Sequence, residues 1–359
     1  MSTALETANR HLLPLLRDAG HARTMALSDW DETLRLARQA RLLGVLGHRL
    51  LARDELELPA PVRGHLRAAV HYAAYRMQLV RMELRDLERA LPPDIPVVLL
   101  KGAAYIVQSL PIAAGRAPND VDLLVRRRDL DRAEAALLTA GWVSEVQDSY
   151  DQRYYREWSH ELPPMRYPGH ALQVDLHHTI APVTGRVRVD DALLFERPPS
   201  VTGSRYLVLD PSDQIVHAAL HLFQDSELRG GLRYLVDIDG LIRHHLAGDE
   251  DGARLLDRAR RHGAGRALWY ALNYCRCWLG TPVPADRDLP APPGPVRRGM
   301  DWVFARCGPP RIPDRAPGLA ERLATSLGQL RYHLLRMPPR LLIPHLLRKA
   351  VRRKKAPAT

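Results

Sequence analysis

Ile95-Pro96-Val97-Val98-Leu99-Leu100-Lys101-Gly102, followed by Asn119-Asp120-Val121-Asp122-Leu123-Leu124-Val125, is the stretch on which the reading of this 359-residue chain turns. The first run is too short for a helix and continuous enough for a buried strand. Lys101-Gly102 closes it, and a helix is predicted from Ala103 to Leu110. Val121 to Val125 reads as a second strand. Residues i and i+2 of a strand share a face, so Asp120 and Asp122 present two carboxylates together while Val121 and Leu123 point into a core. Two like charges on a buried strand are costly unless a cation neutralises them. Hard carboxylate oxygens suit Mg²⁺, which completes its shell with water and substrate phosphates. Val174-Asp175-Leu176 repeats the setting in a further predicted strand, and three carboxylates from neighbouring strands can hold two metals ~3.5–4 Å apart, as phosphoryl-transfer sites do.

Outward from this centre the pattern becomes helical on both sides. Towards the N-terminus, Leu12, Leu13, Leu15 and Leu16 crowd one predicted helix, and Leu34, Leu36, Leu42, Leu43, Val45 and Leu46 mark a second. A third runs from about Pro61 to Leu91, where Pro92-Pro93 ends it. After Val125, Asp129–Ala140 reads as a helix, and Val143–Val146, Arg153–Trp158 and Ala171–His177 as strands. Asp210-Pro211-Ser212-Asp213 is a helix start, with a capping side chain, proline at the first position and an acid in the first turn. Helices at about 212–224, 231–246, 250–262 and 265–279 follow, and the six prolines of Thr281–Pro295 form a strap or linker. The expected fold class is α+β: a small mixed-sheet core flanked by N-terminal and C-terminal helical regions. Its divisions are an N-terminal helical region at 1–92, the α/β core at 93–205, a helical domain at 206–321 and a basic amphipathic tail at 322–359.

The charge is as unevenly distributed as the structure. The chain carries a net +11. No Asp or Glu follows Glu321, whereas ten Lys or Arg lie between Arg322 and Lys355, so residues 1–321 hold 42 basic and 41 acidic side chains. The body is neutral and the tail basic, which argues against a nucleic-acid-binding core. Leu330–Arg336 and Leu341–Lys355 mix aliphatic and basic residues and are suited to an anionic surface, whether lipid, RNA or an acidic protein, or to a solvated end. No apolar run approaches the ~18 residues of a membrane helix, and Met1–Gly20 lacks a signal-peptide layout. Cys275, Cys277 and Cys307 read as buried thiols, not as a disulfide framework. The expectation is a cytoplasmic protein that is not an integral membrane protein.

The order of strand, Gly, helix and Asp-x-Asp strand, followed by a later strand bearing an isolated acid, resembles the DNA polymerase β-like nucleotidyltransferase superfamily. Leu-Lys-Gly-Ala-Ala from Leu100, then Gly115-Arg116, Asp120-Val-Asp-Leu-Leu-Val125 and Val174-Asp-Leu-His177, is similar to a bacterial family known as uncharacterised nucleotidyltransferases. The resemblance covers roughly residues 95–245, including Leu232-Arg233-Tyr234-Leu235-Val236-Asp237. It implies that Asp120 and Asp122 bind Mg²⁺ (or Mn²⁺), that Asp175 is the third carboxylate, and that Gly102 lets the backbone approach nucleotide phosphates. The wider superfamily usually has Gly-Ser and a shorter gap; here Ala103 follows Gly102.

Lys101 is the only lysine before Lys349. A compact charge at the end of a buried strand suits triphosphate, the alternative being an ion pair with Asp120 or Asp122. Arg116 is a candidate phosphate clamp or an arginine packed over its loop. His177 shares the face of Asp175 and either contacts phosphate, orients a carboxylate or is structural. Asp213, His217, His221 and Asp225 recur every four residues, as a polar face lining a cleft or as metal ligands. No Walker loop, nucleophile elbow, dinucleotide fingerprint or His-Asp dipeptide is present. The leading expectation is a metal-dependent enzyme moving NMP from an NTP (ATP among the candidates) to a hydroxyl-bearing acceptor, whether small molecule, peptide or protein. The alternative is a non-catalytic nucleotide-binding or adaptor protein that keeps the fold. An RNA-acting enzyme is a third reading, weakened by the neutral body and few aromatics.

Overall fold

The protein is described by a computed structural model covering residues 3–146, 148–224, 226–284 and 289–355, with side chains as far as residue 348. Six strands form one mixed sheet: β1 (Val98–Leu99), β2 (Asp120–Leu124), β3 (Val143–Ser144), β4 (Met165–Arg166), β5 (Gln173–His177) and β6 (Leu207–Val208). Their order is β3-β4-β5-β2-β1-β6. The central pair, β2 and β5, is parallel, with Asp122 registered against Asp175 and Asp120 against Gln173. β1 runs antiparallel to β2 and parallel to β6; β4 is antiparallel to both β5 and β3. The α+β class with helical flanks is thus the observed one.

The long helix Ala60–Ala90 starts on a proline and ends at Leu91, ahead of the Pro92-Pro93 pair. It is tied to the sheet by buried polar side chains. Arg76 Nε donates to the Pro118 carbonyl at 2.8 Å, the Trp142 indole donates to Glu83 at 3.0 Å, and the Tyr206 hydroxyl donates to the Leu84 carbonyl at 2.6 Å. Around the C-terminal side, helix Pro211–Phe223 is buried on nearly all faces, as a helix at the centre of a bundle must be. One continuous apolar core extends from Ala8 in the N-terminal helices through the sheet to Cys307.

Several local expectations are revised. The leucine run 34–46 makes two helices, Leu27–Gln39 and Leu43–Leu51, because Arg41 adopts φ +56° between them and breaks the helical path. Arg153–Trp158, expected as a strand, lies in helix Ser149–Trp158. Its aromatic content mimics a strand, but Asp148 caps the amides of Tyr150 and Asp151, and Tyr150, Tyr154 and Trp158 recur at helical spacing. Cys275 and Cys307 are buried, whereas Cys277 is exposed. The expected strap at 281–295 includes residues 285–288, which lie outside the described residues.

Two glycines fix the loop that leads into β2. The backbones of Gly44 and Gly115 touch: a Cβ built on Gly115, itself at φ +77°, would lie 2.1 Å from the Gly44 carbonyl oxygen. Only glycine permits that crossing. It seats the N-terminal helices directly against the residue preceding Arg116.

The tail is docked as far as its side chains are described. Arg331 donates to the Phe223 carbonyl at 2.6 Å, and Arg336 donates to the Ser159 hydroxyl at 3.0 Å. His345 stacks on Tyr154, with ring centroids 5.1 Å apart. Among the described residues, no helix is long and apolar enough to cross a membrane.

Candidate active site

The site is built on β2 and β5. Their parallel register puts Asp122 beside Asp175 on neighbouring strands, about 4.8 Å apart in the hydrogen-bonding direction. Asp120 lies two residues before Asp122 and shares its face. The Leu100 amide donates to the Asp122 carbonyl at 3.0 Å, which brings the next residue, Lys101, against the same aspartate. Lys101 Nζ lies 2.7 Å from Asp122 Oδ1, and His177 Nε2 lies 3.1 Å from that oxygen. The ion-pair alternative raised for Lys101, and carboxylate orientation by His177, are therefore the contacts observed.

These neighbours push the three carboxyls apart. Burial alone would raise Asp122, but the Lys101 ammonium and the His177 hydrogen bond hold it well below the usual carboxylate range. Asp120 is raised by burial and by the adjacent Asp122 charge. Asp175 is pushed up to about 8, first by burial and then by Asp122 and Glu161. Its Oδ1 is buried without a hydrogen-bond partner among the described residues, an arrangement that calls for an explanation in a native fold.

A cationic side faces this acidic one. Arg116 is buried, with Nη2 3.1 Å from Asp237 Oδ2 and its guanidinium 5.2 Å from the centroid of the Tyr105 ring. Its Nε and Nη1 have no hydrogen-bond partner among the described residues. Arg233, on helix Leu232–His245, has its pKa lowered by burial and by the charge of Arg116. Lys101, Arg116 and Arg233 all pull on the Asp120 carboxyl. Gly102 lies near this cluster: a Cβ there would come within 3.6 Å of Arg116 Nη1, an ordinary contact, so the backbone needs no glycine for space at that point.

The helix Pro211–Phe223 roofs the centre. His217 and His221 are held neutral by burial and by the Lys101 charge. The four-residue stripe divides, however. Asp213 turns away to Arg258 and His262, and Asp225 lies outside the described residues. An open cavity of about 410 Å³ adjoins the site through Asn119; Arg38, Arg41, His65 and Tyr72 contribute to its lining.

Sequence reasoning missed four participants. Arg233 enters it only within a resemblance, and Tyr105 not at all. His160 and Glu161 follow the misread helix and pair with the end of β5: Glu161 bridges His177, and the His178 amide donates to the His160 carbonyl at 2.9 Å. Two adjacent ligand-type side chains ahead of Leu162-Pro163 are the available signal.

The chain belongs to the family described as uncharacterised nucleotidyltransferases, whose family model matches residues 27–280. It is also similar to the crystal structure of an antigenic nucleotidyltransferase-like protein from Paracoccidioides brasiliensis. The identity is 14%, with 60% of this chain and 94% of that chain covered and a TM-score of 0.33. Among curated proteins, no relative matches.

Proposed function

Starting from that family membership, we propose that the protein transfers NMP from an NTP to a hydroxyl-bearing acceptor, with pyrophosphate leaving. The observation that carries this reading is the register of Asp122 against Asp175, with Asp120 on the same face and a buried, partnerless oxygen on Asp175. That donor set fits a hard divalent cation such as Mg²⁺ or Mn²⁺, held by Asp120, Asp122 and Asp175. When bound, such a cation supplies neutralisation of the triphosphate and of charge on the attacking and leaving oxygens.

The side chains divide the remaining work. Arg116 offers two unpartnered donors to phosphate oxygens, and its contact with Asp237 fixes the direction of the fork. Arg233 adds charge from the opposite helix. Lys101 neutralises Asp122 in the free protein and is a compact cation within the same cluster for the leaving pyrophosphate. In the transfer, the acceptor oxygen bonds to the α-phosphorus while the bond from that phosphorus to the α–β bridging oxygen breaks. Asp175, poised high for a carboxylate, takes the hydroxyl proton. His217, buried, and His221, half-buried, both neutral, help to exclude water.

The test is a panel of labelled NTPs with Mg²⁺ or Mn²⁺, scored for pyrophosphate and for label on the protein or on added alcohols. Metal-dependent pyrophosphate release that Asp120→Asn lowers at least ~100-fold is the expected result, by analogy with losing one preorganised charge. Nucleotide binding with no pyrophosphate under any of these conditions would leave the non-catalytic nucleotide-binding alternative.

A further inference from the structure

Beside the three aspartates lies a second constellation of different chemistry. One ligand atom from each of His160, Glu161 and His177 lies within 4.8 Å of the other two. Glu161 Oε2 faces both imidazoles, 3.6 Å from His160 Nε2 and 3.4 Å from His177 Nε2. The three side chains are not brought together by chance rotamers on flexible loops. The segment carrying His160 and Glu161 pairs with the end of β5, where the Leu162 amide donates to the Leu176 carbonyl and the His178 amide to the His160 carbonyl, each at 2.9 Å. Ser159, just before them, accepts from Arg336 of the docked tail. The backbone thus holds the three residues before any ligand arrives, as an effective site requires.

We propose that His160, Glu161 and His177 form a binding site for one transition-type divalent cation, Zn²⁺ or Mn²⁺ in preference to Mg²⁺. Two imidazoles and one carboxylate are a borderline-soft set, which Zn²⁺ and its neighbours accept and Mg²⁺, preferring all-oxygen shells, does not. Three protein ligands also leave an open coordination position, the pattern of reactive and not of closed structural metal sites. A second observation points to a missing ligand here. Asp175 Oδ1, which has Glu161 and His177 among its charged neighbours, is buried and has no hydrogen-bond partner among the described residues. The inference does not depend on the aspartates acting as a transferase.

The experiment uses the full chain, stripped with chelator and titrated with Zn²⁺ in competition with a chromophoric chelator. X-ray absorption follows on the Zn²⁺-loaded protein. The expected result is one Zn²⁺ per chain, with a shell containing two imidazole nitrogens at ~2.0–2.1 Å. Glu161→Gln should weaken binding at least ~10-fold, the lower end seen for altered metal shells, while Asp120→Asn leaves it within about twofold. An all-oxygen shell, no stoichiometric binding, or loss in Asp120→Asn with Glu161→Gln unaffected would overturn the proposal. The spectroscopic result needs no variant, so a variant that fails to fold does not shield it. Because pyrophosphate release with Mg²⁺ is measured separately, failure here and failure of the transferase reading are distinguishable.

Discussion

Two buried arginine–aspartate pairs flank this molecule's centre, and they are finished to different degrees. In the outer one, Arg258 Nε donates to Asp213 Oδ1 at 2.8 Å and Nη2 reaches Asp213 Oδ2. The remaining guanidinium contacts go to the Leu193 carbonyl and Glu196, and His262 Nε2 lies 3.2 Å from the same aspartate. Burial would raise Asp213, yet these partners bring its carboxyl below the ordinary range. In the inner pair, Arg116 meets Asp237 through one nitrogen, its other two are unpartnered, and burial prevails so that Asp237 is raised. The same two residue types make a closed staple in one place and an incompletely paired fork in the other. Unspent hydrogen-bonding capacity, more than charge or burial, separates them.

The contrast can be broken most forcefully at the staple. Arg258→Ala strands Asp213 in the interior and should cost about 3–5 kcal/mol, read by urea unfolding, while nucleotide binding by the folded fraction is unchanged. A loss of nucleotide binding with little loss of stability would reverse the assignment of the two pairs. Arg116→Ala should do the opposite. Asp237 is already disposed to take a proton, so the stability loss should stay near ~1–3 kcal/mol. Nucleotide affinity should fall ~10-fold or more, worth ~1.4 kcal/mol per decade, and Arg116→Lys should not restore it, because the planar fork is what is lost.

The finest distinction concerns Asp175. Its folded pKa of about 8 stands above the ordinary 3.8, so the folded state holds the proton more tightly. That contribution to stability is fully present below about pH 4 and is lost as pH rises through 8. Removing the carboxyl in Asp175→Asn should flatten the corresponding decline, changing the slope by no more than ~1.4 kcal/mol per pH unit. Stability profiles of variant and parent that run parallel between those limits would show that Asp175 is not held protonated.

How far the sequence discloses this arrangement depends on the range of the interaction. The alternation at Asp120 and Asp122 is local and can be read directly, as can the isolated acid at Asp175. The register that sets Asp122 beside Asp175 joins strands separated by a long crossover, and nothing near either residue encodes it. Asp237 as the partner of Arg116 is likewise a tertiary fact. His160 and Glu161 are hidden by a local ambiguity: an aromatic-rich segment reads as strand, though an aspartate cap and a four-residue aromatic spacing mark it as helix. The four-residue stripe on helix Pro211–Phe223 is visible, but only packing decides that Asp213 serves the staple while His217 and His221 roof the centre.

Lys101 has φ +44°, a conformation that residues other than glycine rarely adopt. At this position the usual ordering of residues is inverted: glycine would relieve the backbone, and alanine, ordinarily the better helix former, would not. The chain has glycine one step later, at Gly102, but not at the strained residue. Local foldability and the demand for an ammonium beside Asp122 therefore pull in opposite directions at a single residue. Lys101→Gly would relieve the backbone but leave Asp122 buried without its ammonium, the larger of the two costs, and would discard the only lysine of the first 348 residues.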